Sequence, residues 1–305
     1  MLHVRLIVPA QLMTDVMDAL HATTGVVHVV RYSCAVTRPV GELVSCDVVR
    51  EAANDLIEGL QRSGLHHAGA ITIEPLEAVV SDAAAVAEAE TPGEGGDALV
   101  WEELEARARD DAALTASFLI FMSIAAAIAA IGILLDSAVL IIGAMVVGPD
   151  YGPLAAICVG LVRRRRRPTL GALRTLLTGV AVAAAVALAV VALLRLTSIA
   201  PDDYATQRVL TSFISRPDAL GAVVAILAGV VGMLSLTEAR SGALIGVLVS
   251  VTTIPAIGNI GAAAAYGELD DLAGAALQLA VNVIALIIAG TATLAIQAHR
   301  TSHPT

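Results

Sequence analysis

Lysine is missing from the 305 residues, aromatic side chains make up 3% and charged side chains only 15%. A soluble globular domain carries about 25% charge, so this composition excludes one as the description of the whole chain. Three cysteines are too few for a disulfide framework, and a cytoplasmic domain would keep them reduced. The eighteen basic residues are all Arg with one short run, a poor electrostatic footprint for a nucleic acid, so none is expected as a partner. Met1 to Ala10 lacks the basic region and long apolar core of a signal peptide, so residues 1–113 are expected to stay on the side of synthesis. What the chain does have is apolar residues, 57% of the total with a mean hydropathy of +0.81, which reads as an integral membrane protein.

Charge divides the chain into two parts. Residues 1–113 hold 19 Asp and Glu against 7 Arg, whereas the remainder holds 9 against 11. Within residues 1–78, the segments 3–10, 26–34, 41–50 and 68–77 read as strands; Cys34 and Cys46 sit on the middle two as small apolar residues. Residues 11–24 and 51–63 carry apolar side chains at helical spacing. The order βαββαβ is the split, ferredoxin-like α+β pattern, with Arg38-Pro39 turning the central hairpin. Such a domain hosts many functions, so topology alone assigns none. Residues 79–113 follow as an acidic linker and a juxtamembrane helix, in which Trp101 is a candidate interfacial anchor.

Six apolar segments fill residues 114–298, approximately 114–135, 137–161, 170–196, 218–236, 242–265 and 272–297. Each is long enough for a hydrocarbon core of about 30 Å. With residues 1–78 cytosolic, Arg163 to Arg167, Arg240 and Arg300 in the tail 299–305 fall inside, while Asp202, Asp203 and Glu268 to Asp271 fall outside. Arg208 and Arg216 in the outer loop go against that rule. The expected protein is a multi-pass component of a prokaryotic plasma membrane with both termini cytoplasmic. Three spans per half make the halves inverted repeats, so the fold class is a six-helix membrane protein preceded by a cytosolic ferredoxin-like domain.

Helix-breaking patches interrupt the second and fifth segments: Gly148-Pro149-Asp150-Tyr151-Gly152-Pro153, and Thr252-Thr253-Ile254-Pro255 followed by Gly258-Asn259. Hydrocarbon supplies no water to freed backbone groups, so a broken helix persists there only where protein or a polar cavity replaces water. Paired breaks in corresponding spans point to a binding site between two repeats. The plain alternative is two Pro-kinked helices packed through small residues. Asp150 stands about twelve residues from each end of its segment, and an intramembrane acid is a functional hypothesis by default. It fits a proton or a cation; equally, Asp is a good turn residue.

Half-helices starting near Pro153 and Pro255 would offer N-terminal N–H groups to an anion, and the preceding carbonyl ends would suit a cation. The candidate ion- or substrate-binding residues are therefore Gly148, Asp150, Gly152, Thr252, Thr253, Asn259 and Asn282. The run Arg163, Arg164, Arg165, Arg166 and Arg167 is the candidate for anionic lipid headgroups, or else only an orientation signal. The seven His, including adjacent His66 and His67, show no metal-ligand spacing, so neither metal nor other cofactor is expected. No nucleophile motif or carboxylate pair is visible either, and an enzyme is not expected.

The strings VLIIGAMVVGPDYGPLAAICVGL, SGALIGVLVSVTTIPAIGN, ELVSCDVVREAANDLIEGL and ITIEP together resemble the bacterial and archaeal membrane family called domain of unknown function 389, over nearly the whole chain. That resemblance implies a membrane domain with a cytosolic ferredoxin-like domain and no assigned activity. It also implies an apolar residue where this chain has Asp150. The function expected is a transporter or channel for a small ion or polar metabolite, with its site at the crossed breaks. A regulatory or oligomerising soluble domain would accompany it in a homo-oligomer, a dimer first. The rival is a non-transporting membrane sensor or scaffold whose soluble domain binds a ligand or partner.

Overall fold

The structure is a computed structural model, describing residues 1–91, 99–201, 211, 214, 219–237 and 253–302. It divides into two compact units, residues 1–103 with 297–305 and residues 104–296.

In the first unit four strands, β1 (Leu2–Val8), β2 (Val26–Thr37), β3 (Val40–Val48) and β4 (Ala70–Pro75), form one antiparallel sheet in the order β2-β3-β1-β4. The helices α1 (Met13–Ala22) and α2 (Arg50–Arg62) make the two crossovers, so strand order and connections are those required by a split βαββαβ chain. Alternation in β1 buries Leu2, Val4, Leu6 and Val8 on one face, and the register sets Val4 between Cys46 and Ile73, and Leu6 between Val44 and Ile71. The helical period of α2 brings Ala53, Leu56, Ile57 and Leu60 down onto that face. Truncating a side chain such as Leu6 to Ala would cost about 2–5 kcal/mol. Arg38-Pro39 does turn the hairpin, and a short helix α3 (Leu65–Ala68) precedes β4.

The acidic stretch after β4 is more ordered than its composition indicates. Ser81 caps a helix, α4 (Asp82–Glu90), its hydroxyl accepting from the Ala84 N–H, and Ala84 and Ala87 are buried. Alanine at helical spacing supplies both high propensity and a contact face, which outweighs the charge. Residues 92–98, the core of the expected linker, lie outside the described residues. Within this unit the Asn54 side chain then holds the returning chain, donating to the Leu99 carbonyl and accepting from the Trp101 N–H. The helix α5 (Trp101–Asp111) begins there.

The second unit holds α6 (Ala116–Leu134), α7 (Ala138–Val147), α8 (Tyr151–Val162), α9 (Arg166–Leu196), α10 (Ala219–Thr237), α11 (Thr253–Tyr266) and α12 (Leu269–Ser302, of which residues to 296 belong here). Four of these, α6, α9, α10 and α12, are long and apolar enough to cross a membrane. The pair α7 and α8, bent by 53°, makes a fifth if taken as one broken span. Of the expected segment 242–265 only the part from Thr253 onward is described, so that expectation falls partly outside the described residues. The chain is a membrane protein, mostly helical, with a small N-terminal antiparallel sheet.

Sharp reversals between helices share one device. After α6 the Ser137 N–H reaches the Gly132 carbonyl and the Asp136 N–H that of Ile133, with Asp136 at φ 47°. After α8 the Arg165 N–H reaches Gly160 and the Arg164 N–H reaches Leu161, with Arg164 at φ 53°. Both are Schellman closures with a non-glycine residue in the left-handed position. Their consequence is that α7 and α9 fold straight back onto α6 and α8. Small residues then let backbones approach: a Cβ at Gly258 would lie 2.9 Å from the Ala126 carbonyl oxygen, and one at Gly261 2.8 Å from that of Ala184. α11 therefore packs tightly between α6 and α9.

Candidate functional site

The first break follows from proline chemistry. Pro149 has no N–H to continue α7 and disfavours helical dihedrals at the residue before it, and Gly148 is extended at φ −73°, ψ 128°. Asp150 returns to helical dihedrals and stands immediately before α8. Pro153 falls in the first turn of α8 and Pro255 in the first turn of α11, where a missing N–H removes no helical bond.

The first break meets the start of α11. Thr253, the first residue of α11, donates its hydroxyl hydrogen bond to the Asp150 carboxylate. Both side chains are buried, Asp150 with 5% and Thr253 with 3% of its surface exposed. Beside them Ile254 covers Gly148, where a Cβ would lie 2.5 Å from Ile254 Cδ1. Gly152 faces elsewhere: a Cβ there would run into the Asp111 carbonyl oxygen. Asn259 is fully buried on α11, six residues and so about 9 Å beyond Thr253. Asn282 is buried on α12 and accepts from Gln278 Nε2 at 3.2 Å. Thr252 lies outside the described residues. Gly148, Asp150 and Thr253 thus come together, and Gly152, Asn259 and Asn282 have other surroundings.

Three further residues were not among the candidates. Ile254 roofs the break. Tyr151 is buried, with its hydroxyl over Gly232 of α10, where a Cβ would meet it at 2.6 Å. Gln278 is buried one turn from Asn282. The only advance signal was the Gly229 and Gly232 spacing on α10, which marks a close approach without naming the partner.

Electrostatically, Asp150 stands at the N-terminal, partially positive end of α8, a polarity that favours a negative charge there. An anion entering there would compete with a negative charge already in place. The C-terminal carbonyl end of α7, the carboxylate and the Thr253 hydroxyl together offer oxygen ligands of the kind that hold a proton or a hard cation.

The arginine run spans the turn from α8 to α9. Arg163 closes α8, Arg164 is the left-handed residue, Arg165 precedes α9, and Arg166 and Arg167 open it. Arg163 Nε donates to Glu105 Oε1 of α5 at 2.7 Å. Cations in the first turn of a helix oppose its dipole, so Arg166 and Arg167 do nothing for the stability of α9.

In the first unit two of the histidines serve a carboxylate. His3 Nδ1 and His28 Nδ1 each lie 2.7 Å from one oxygen of Asp47, and His28 Nε2 lies 2.9 Å from Ser81 Oγ. Burial by itself raises the Asp47 carboxyl, yet the two imidazoles outweigh it and hold Asp47 below the usual range. Among the described residues no group of three or more His, Cys, Asp or Glu is placed to hold a metal ion.

Residues 145–288 match the family model described as a domain of unknown function (DUF389). No curated protein and no solved structure matches the chain. The matched range contains both breaks and every candidate ion-site residue, but it leaves out the sheet domain with its ELVSCDVVREAANDLIEGL and ITIEP stretches. Strands and crossover helices recur in many families, so those stretches were the less specific part of the resemblance. Over residues 145–288 the chain is similar to the family described as a domain of unknown function (DUF389).

Proposed function

We propose that the membrane unit moves a small ion or polar metabolite across the bilayer, with a cation or proton favoured, through a site at the crossed helix breaks. One observation carries this reading: Asp150, 5% exposed at a 53° break between apolar helices, bonds Thr253, the first residue of α11. A carboxylate at such a depth is expensive, and a chain that keeps one there for shape alone has cheaper neutral turn residues available. In this reading the chain has six spans in two inverted repeats, α6 to α9 forming the first and α10 to α12 lying in the second. Both termini are cytoplasmic in a prokaryotic plasma membrane, and the protein is no enzyme. The sheet domain regulates or pairs subunits. Its edge strand β2 carries exposed Val29, Val30 and Tyr32, with Val40 beyond the turn, which supports pairing in a homodimer.

A second reading is favoured by the same contact. Thr253 already satisfies one Asp150 oxygen and Ile254 covers Gly148, which is also how a permanent clasp between two helices would look. The protein is then a sensor or scaffold without transport. Flux into liposomes across a panel of ions and polar metabolites, with and without a pH gradient, separates the two. Flux that depends on the protein supports the first, and its absence across the panel supports the second.

A further inference from the structure

Under the arginine turn of the second unit lies a half-open cavity of about 310 Å³, bounded by α5, the end of α8 and the start of α9. Its walls are small and apolar: Ala108 and Ala112 of α5, Ala156 and Val159 of α8, Ala172 of α9. Gly171 of α9 also lines it, and a Cβ added there would meet nothing within 4 Å. At the lip stand Arg109, Arg163 and Arg165 with Glu105. Glu105 is bonded to Arg163, which offsets one positive charge, while Arg109 and Arg165 are exposed and form no ion pair among the described residues. Deeper in is Thr175, 4% exposed, with no hydrogen bond to its hydroxyl among the described residues.

We propose that this cavity seats one anionic phospholipid, its phosphoryl headgroup at Arg109 and Arg165 and the upper part of one acyl chain against the alanines. Three features select that occupant. The lip has a net positive charge and three arginines, whose planar donors match phosphate oxygens. The lining changes from charged to apolar from Arg165 to Thr175, ten residues or about 15 Å along α9, which is the step from headgroup level into hydrocarbon. The volume is at the low end of the roughly 300–1,000 Å³ of small-molecule sites, so it takes part of a chain and not a whole lipid. The seat differs from general attraction to a basic surface because it needs the cavity as well as the charge.

The test uses the full chain purified from mixed micelles of phosphatidylglycerol and phosphatidylcholine, with retained lipid counted by native mass spectrometry. Wild type is expected to retain phosphatidylglycerol preferentially. Gly171→Leu fills the open space without touching the charges and is expected to lower retention at least fivefold. Arg109→Gln and Arg165→Gln, at exposed positions that leave packing intact, are expected to lower it about fivefold each. Arg174→Gln, on the same helix but outside the lining, is expected to stay within about twofold. Equal retention of the two lipids by wild type would overturn the proposal. So would unchanged retention in Gly171→Leu, or an effect of Arg174→Gln as large as that of Arg165→Gln, since either outcome means surface attraction only.

Discussion

Replacing Thr253 by Val removes the hydroxyl that donates to Asp150 and keeps the branched shape that packs at the start of α11. Water has little access to make good the loss, since the two side chains are only 5% and 3% exposed. A hydrogen bond to an ionised group contributes about 1.5–3 kcal/mol, so Thr253→Val should destabilise the protein by about that amount. Asp150→Asn keeps an oxygen that accepts from Thr253 and removes the charge, reducing the bond to a neutral one of about 0.5–1.5 kcal/mol. In the Asp150→Asn background Thr253→Val should therefore cost less, leaving a coupling energy of about 1 kcal/mol in the double-mutant cycle. Equilibrium unfolding in mixed micelles, followed by circular dichroism on the four proteins, measures it. A cost below about 0.5 kcal/mol, or equal costs in both backgrounds, would show that the breaks are not joined through this bond.

Close packing at the first break is checked by Gly152→Ala, whose Cβ meets the rigid Asp111 carbonyl and should cost about 1–3 kcal/mol, against Gly143→Ala, which meets nothing within 4 Å and should gain about 0.5–1 kcal/mol; thermal melts compare them. Asp47 is held below 3.8 in the folded state, so its contribution is complete above about pH 4 and is lost as pH falls from there through the lowered native value; Asp47→Asn should flatten that acid limb in melts taken between about pH 5 and about pH 2. Maleimide should label exposed Cys34 and spare Cys46, which is fully buried with its thiol pushed up to about 12 by burial; mass spectrometry of the labelled peptides decides. Orientation is read with Cys introduced at Asp270: an impermeant reagent should reach it from the outer face, and labelling from the cytoplasmic face alone would reverse the topology.

Periodicity made most of the architecture legible in the sequence. Alternation over Leu2 to Val8 and the helical spacing of Leu56, Ile57 and Leu60 each reflect one buried face, so strands, helices and their order could be read locally. The hairpin at Arg38-Pro39 was likewise a local signal. The helix Asp82–Glu90 was not, because its stability depends on Ala84 and Ala87 finding a surface to cover, a tertiary fact absent from an Ala and Glu composition. At the candidate site the two proline breaks were visible, and so was Asp150. Their junction was not, because the Asp150 to Thr253 bond spans 103 residues and no spacing rule connects them. Ile254 over Gly148 and Tyr151 over Gly232 are of the same kind, a bulky side chain matched to a glycine far off in the sequence. The cavity beside α5 was hidden for a related reason. Its alanines and glycine read as ordinary helix contacts until three helices are placed around the same space.

Transport through the breaks is tested most directly by flux into sealed liposomes holding wild type or Asp150→Asn, with a cation panel supplied under an imposed pH gradient. Wild type should show protein-dependent flux of at least one cation that responds to pH. Asp150→Asn, folded by circular dichroism, should lose that flux or its pH response. Wild-type flux with unaltered pH dependence in Asp150→Asn would contradict a role for the carboxylate, and no flux from wild type across the panel would contradict transport itself.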